Sequence, residues 1–376
     1  MTSRYWSHME EFHERAHTDH PNGAEGMAAF RYFRSILEPN WVDADSNKHP
    51  FHHWITFAST HHYDRLILLR RRFELVQDTV GFRSRAKRLA HRTEYLSAMT
   101  EIETGVKLRL QGIQITFPRE KSGDTPDIIA DIGGQRYWVE VTSVNPPALE
   151  TSFMNLLGGL MGTSMKLKVT VGGFAIAHFT EKDIRAIESD VEHAANEIAG
   201  KDGVRKVVVP GKAIFYVGSG TGVSDIPEKW RGGFQAWRSR DRPASERIIA
   251  KICDKGKKNY LEGGPGFLVL YDWMVPHEEV DKILENPEDD LGLVMAVHPQ
   301  ILGMTLVVPS ESAPRMYPAV IVSSKTRESR IHALPDMTTE RVVLWRNVHA
   351  TAELPSMITS AFLEYPSALS RNVDLD

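Results

Sequence analysis

The stretch PDIIADIGGQRYWVEVT, from Pro126 to Thr142, reads as two short strands joined by Gly133-Gly134. Gly-Gly between two apolar runs marks a two-residue hairpin, because both central residues of such a turn take positive φ. With those glycines as the loop, Ile132 faces Gln135, Ile129 faces Trp138 and Asp127 faces Glu140. Ile128, Ala130 and Ile132 then share a face with Tyr137, Val139 and Val141. That face is apolar and suited to a core. The opposite face carries the acids.

Directly opposed residues have Cβ atoms about 4.5–5.5 Å apart, so ionised Asp127 and Glu140 repel unless a positive charge lies between them. A divalent metal meets that need, since hard cations such as Mg²⁺ take one or two carboxylates together with water and phosphate oxygens. The alternative is a solvated hairpin whose acids merely face water.

Pro126-Asp127, a short hairpin and then Glu140-Val141-Thr142 resemble the PD-(D/E)XK nuclease superfamily, the restriction-endonuclease-like fold. The resemblance implies that Asp127 and Glu140 bind Mg²⁺ or Mn²⁺ and that a lysine two residues after the Glu helps activate water. This chain has Thr142 there, which can hydrogen-bond a water but supplies no positive charge. Lys166, Lys168, Lys251 and Lys255 are the lysines that could stand in. The family's helix acid, in a Glu-x6-Leu-x3-Gly rhythm, maps to Glu101 with Leu108 and Gly112, ahead of a strand from Ile113 to Phe117. Thr93 is placed to cap that helix and Gly112 to end it. The resemblance thus implies Glu101, Asp127, Glu140 and Thr142 as catalytic residues; a plain surface glutamate is the alternative for Glu101.

The whole chain has 376 residues, 41% of them apolar and 25% charged, a composition able to bury a core. A net charge of −4 gives no global basicity, so any contact with nucleic acid must come from a local patch. The single Cys253 excludes an internal disulfide framework and fits a reducing compartment. No apolar run reaches about 18 residues and no basic-then-apolar leader opens the chain, so neither a membrane span nor a signal peptide is expected. The expectation is a soluble, cytoplasmic protein.

Helical spacing is clear from Met27 to Leu37, from Tyr63 to Val76 and from Thr180 to Gly200, the last opening on a Thr180/Asp183 capping box. His13 and His17 stand one turn apart, but no zinc-type spacing accompanies them, and surface or half-buried histidines are expected. Strands are expected at Ala213 to Val217, Phe267 to Tyr271, Leu302 to Val308, Ala319 to Ser323 and Arg341 to Trp345, and a last helix at Pro355 to Leu363. Gly218 to Gly222 lacks the phosphate-loop spacing and reads as a flexible loop. The fold class is α/β: a mixed central sheet flanked by helices, with a mostly helical N-terminal region and a β-containing C-terminal extension. The expected domains are residues 1–92, a nuclease-like core at 93–275 and an α+β extension at 276–376.

Glu228 to Lys258 holds ten Lys/Arg against four Asp/Glu with Trp230, Phe234 and Trp237 interleaved, which makes it the candidate nucleic-acid surface. Its cations include Lys229, Arg231 and Arg238, followed by Arg247, Lys251, Lys255 and Lys258 on one helix face. A second basic run, Arg65, Arg70 to Arg72, Arg83, Arg85, Lys87 and Arg88, could touch phosphate or be a solvated helix face. The function expected is hydrolysis of phosphodiester bonds in nucleic acid, DNA before RNA, with Mg²⁺ or Mn²⁺. The alternative is a nuclease fold that binds nucleic acid or assembles without cutting. A homodimer contact is open to either terminal region.

Overall fold

A computed structural model describes residues 2–41, 49, 51, 55, 60–119, 125–143, 156, 159–160, 163–164, 166–175, 179–231, 234–236, 244–256, 264–272, 280, 297–308, 317–323, 330–338, 341–347 and 349–363. The protein is mixed α/β and divides into two compact units, Met1–Asn145 with Ala244–Asp376, and Pro146–Pro243. No helix among the described residues is long and apolar enough to cross a membrane.

The larger unit opens with α1 (Thr2–Ala16), α2 (Gly23–Leu37), α3 (Thr60–Glu74), the short α4 (Phe82–Arg88) and α5 (Tyr95–Leu110). Then come β1 (Gln114–Thr116), β2 (Ile128–Ile132) and β3 (Gln135–Ser143). The smaller unit is inserted after β3. It contains β4 (Thr170–Ala175), α6 (Glu181–Ile198), β5 (Gly203–Val209), β6 (Ala213–Ser219) and β7 (Phe234–Ala236). The chain returns to the larger unit with α7 (Ala244–Gly256), β8 (Gly266–Tyr271), β9 (Ile301–Val308), β10 (Tyr317–Ser323), β11 (Arg330–Thr338), β12 (Arg341–Arg346) and α8 (Ser356–Leu363).

Hairpin β2–β3 has the expected register: Ile132 pairs with Gln135, Ile129 with Trp138 and Ile128 with Val139. Gly133 and Gly134 both take positive φ, 61° and 82°, which a Cβ would oppose. The hairpin sits in a mixed sheet of order β1-β2-β3-β8-β9-β12-β10-β11. β3 lies parallel to β8, and β8 to β9.

One apolar core joins the helices to this sheet. Phe30, Phe33, Tyr63 and Phe73 share it with Ile102 and Val106 of α5, with Ile128, Val139 and Val141 of the hairpin, and with Phe267, Val269 and Phe362. The three-part division expected at 92/93 and 275/276 therefore gives way to a different one. The first helices and the last bury their apolar stripes in the hairpin's own core, while residues 146–243 carry a separate core. In that smaller unit α6 buries Ile184, Ile187 and Val191 with Val171, Phe215 and Val217 of a sheet ordered β5-β6-β4-β7.

Local chemistry follows the sequence at α6, where the Thr180 hydroxyl accepts from the Asp183 amide and Asp183 accepts from the Thr180 amide. It departs at α5. Glu94, not Thr93, holds the N-cap position, and it makes no side-chain capping bond. Gly112 ends α5 as expected, with φ of 75°. Gly220 to Asp225 forms a 3-10 turn whose Thr221 amide donates to Asp202, so an acid already holds a donor that a phosphate loop would offer.

His13 is neither a surface nor a half-buried residue. It is fully buried among the first helices, with Nδ1 against the Tyr63 hydroxyl and Nε2 against the Ile55 carbonyl oxygen. Burial holds its pKa below the ordinary histidine range, against the opposing pull of that carbonyl. The unfolded chain therefore takes up a proton that the folded chain resists, and stability falls as pH drops below about 6.5. We expect the thermal midpoint of the wild type to fall more steeply between pH 7 and 5 than that of His13→Gln, measured by circular dichroism.

Candidate active site

The site grows from the hairpin. Asp127 stands just before β2, and its Oδ2 accepts the Val141 amide at 2.9 Å. This bond ties the first acid to the backbone beside the second. Val139 and Val141 turn into the core, so alternation sends Glu140 and Thr142 to the other face. Register carries that face onto β8: Glu140 pairs with Leu268 and Thr142 with Leu270. Asp272, next beyond β8, lies on the same face.

The face is covered rather than solvated. Glu140 is only 1% exposed and Asp272 fully buried. A buried carboxylate needs a partner charge, and α7 supplies two. Lys255 Nζ lies 2.6 Å from Glu140 Oε2 and 3.9 Å from Asp127 Oδ2, while Arg247 Nη1 lies 3.7 Å from Asp272 Oδ2. The spacing explains why both contacts form. From Arg247 to Lys255 the helix rises about 12 Å, and from the level of Glu140 to Asp272 the strands advance about 13 Å. The helix runs antiparallel to β8, as a crossover between parallel strands requires.

Glu101 on α5 is buried beside this pair. Arg85 Nε approaches its Oε2 at 3.0 Å, and Arg88 Nη1 reaches both oxygens at 3.1 Å. Ser97 donates to Oε1 at 3.0 Å. Burial, and then the Asp127 charge, raise the Glu101 carboxyl to about 7, against the two arginines and Ser97. Arg85 also donates through Nη2 to the carbonyls of Pro118 and Asp127, at 3.3 and 3.4 Å. Glu103, the other acid on the helix, pairs with Arg72 at 2.7 Å instead. Glu101 is thus the helix acid beside Asp127.

Three acids, Glu101, Asp127 and Glu140, therefore meet three cations, Arg85, Arg88 and Lys255. Among the described residues no group of three or more His, Cys, Asp and Glu is placed to hold a metal ion. The donor set on this face is the pair Asp127 and Glu140, the smallest that suits Mg²⁺ when water and phosphate oxygens complete its shell. The ammonium of Lys255 borders both carboxylates and supplies a positive charge beside the pair.

The residues of the expected nucleic-acid surface divide between the two units. Arg247 and Lys255 turn to buried acids of the larger unit, and Lys251 falls between them along α7. Lys229 and Arg231 belong to the smaller unit. Arg231 donates there to the carbonyls of Ser224 and Ile226, and Trp230 stacks on Phe174 and Tyr216. Lys166 pairs with Glu192, also in the smaller unit. Arg238 and Lys258 lie outside the described residues. Arg85 and Arg88 were read in sequence only as members of a basic run. Their partner Glu101 lies on the next helix, and nothing in local spacing marks the pairing.

No family model, curated protein or solved structure matches the chain.

Removing Lys255 leaves Glu140 buried without that cation. We expect Lys255→Met to lower stability by about 3 kcal/mol, and Glu140→Gln in the same chain to restore most of the loss. Urea unfolding of the two variants checks this.

Proposed function

We propose that this chain is a metal-dependent phosphodiesterase acting on nucleic acid, DNA before RNA, of the PD-(D/E)XK kind that its hairpin resembles. One observation carries the reading: the Lys255 ammonium reaches Glu140 at 2.6 Å and stands 3.9 Å from Asp127. It brings to the acid pair the positive charge that Thr142 lacks.

Asp127 and Glu140 would hold Mg²⁺ or Mn²⁺, which when bound polarises a phosphoryl oxygen and lowers the pKa of a coordinated water. The Lys255 side chain is a hydrogen-bond donor suited to an oxyanion on the scissile phosphate. The Thr142 hydroxyl can orient a water but cannot replace that charge. Arg85 spans Glu101 and the Asp127 carbonyl, and so positions the first acid from behind. Glu101, its carboxyl raised by burial and by the Asp127 charge, stands next to that acid on the helix side.

A second reading has its own support. Arg85, Arg88 and Lys255 already stand against Glu101, Asp127 and Glu140, so each of these acids has a cation beside it without an added metal. A protein of this kind could bind nucleic acid without cutting it.

Cleavage of single- and double-stranded DNA and RNA, with Mg²⁺, Mn²⁺ or EDTA, separates the two. The nuclease reading expects metal-dependent cutting, reduced at least ~100-fold, or about 2.7 kcal/mol, by Asp127→Ala and by Glu140→Ala. Binding in EDTA with no cutting in any metal would leave the second reading. Cutting unchanged in both variants would move the site elsewhere.

A further inference from the structure

The basic run from Arg65 to Arg88 is largely spent on acids. Arg70 pairs with Glu74, Arg71 with Glu25 and Arg72 with Glu103, while Arg85 and Arg88 hold Glu101. Arg83 and Lys87, one turn apart on α4, point away from that work and are exposed. With Arg119 they have no hydrogen-bond or ion-pair partner among the described residues.

These three cations line two adjoining grooves of about 470 Å³ each, which share Gln77, Asp78 and Arg83. Arg119 borders the first and Lys87 the second. Asp78 is the one acid among the described lining residues. The first groove also has an apolar wall of Val80, 71% exposed, and Pro118, backed by the buried Phe117. That wall is fixed. Phe117 donates its amide to the Val80 carbonyl at 2.9 Å, and Gly81, at φ 87°, sits so close to Phe117 that a Cβ would lie 1.8 Å from its carbonyl oxygen. Pro118 in the wall and Asp127 at the acid pair are bridged by the single Arg85 guanidinium. The groove therefore abuts the candidate active site from behind α4.

We propose that this double groove binds a phosphate-bearing single strand of nucleic acid, its phosphates on Arg83, Lys87 and Arg119 and its apolar sugar and base faces on Val80 and Pro118. Uncommitted cations beside an apolar wall suit a ligand that is anionic along one edge and flat along the other. The choice of a strand rests on the nuclease reading; the cationic groove does not.

The test is fluorescence anisotropy of a labelled single-stranded DNA oligonucleotide, in EDTA, across a salt series. Wild type is compared with the triple variant Arg83→Ala, Lys87→Ala, Arg119→Ala. A second triple variant of equal charge change, Arg15→Ala, Arg31→Ala, Arg71→Ala, is the control. The groove variant should bind at least ~10-fold more weakly, with the slope of log K against log salt reduced by about 2, while the control keeps the wild-type slope. Equal binding by the groove variant, or equal loss in the control, overturns the proposal. ATP binding that depends on the groove, with no groove-dependent oligonucleotide binding, overturns the strand assignment in favour of a free nucleotide. Groove-dependent binding without cleavage in any metal would sink the nuclease reading and leave the groove standing.

Discussion

Glu140 is a carboxylate on a covered sheet face, and the rest of the site follows from the need to place a positive charge against it. Burial under α7 removes the water that would otherwise solvate its charge. Lys255 restores it from a helix separated from the hairpin in sequence by the whole smaller unit. The match between helical rise and strand advance lets one helix meet acids at two levels, Glu140 and Asp272, without bending. Parallel pairing of β3 with β8 puts both acids on one face in the first place.

On the far side of Asp127 the N-terminal helices act in the same way. α4 is short, yet its two faces have separate tasks. Arg85 and Arg88 turn inward to Glu101, and Arg83 and Lys87 turn out to the grooves. This explains why the first helices share the hairpin's core: the guanidiniums must be held rigidly against buried oxygens, and a loosely tethered domain would not hold them there. Burial and the Asp127 charge raise the Glu101 carboxyl even between two arginines.

Much of this was legible in the chain. Gly133-Gly134 fixed the register, and register fixed which residues turn to the core and which to the acids. The rhythm through Glu101, Leu108 and Gly112 picked the helix acid that lies beside Asp127 over Glu103, which goes to Arg72. The lysine was only narrowed to a few residues, since a contact between Glu140 and Lys255 is set by tertiary packing and leaves no local pattern. The basic row on α7 looked like a solvent-facing track because spacing gives the face of a helix but not what that face packs against. Residues 146–243 were read as part of a continuous core because helix-then-strand order looks the same whether a segment joins the main sheet or forms one of its own.

We propose that Asp127 and Glu140 together form a cation site bordered by Lys255. Mn²⁺ binding, followed by electron paramagnetic resonance on wild type and on the double variant Asp127→Asn, Glu140→Gln, tests that claim without relying on any substrate. A cation site at this pair predicts a bound Mn²⁺ in the wild type that is lost in the double variant. Mn²⁺ bound equally by both chains, or by neither, would contradict it.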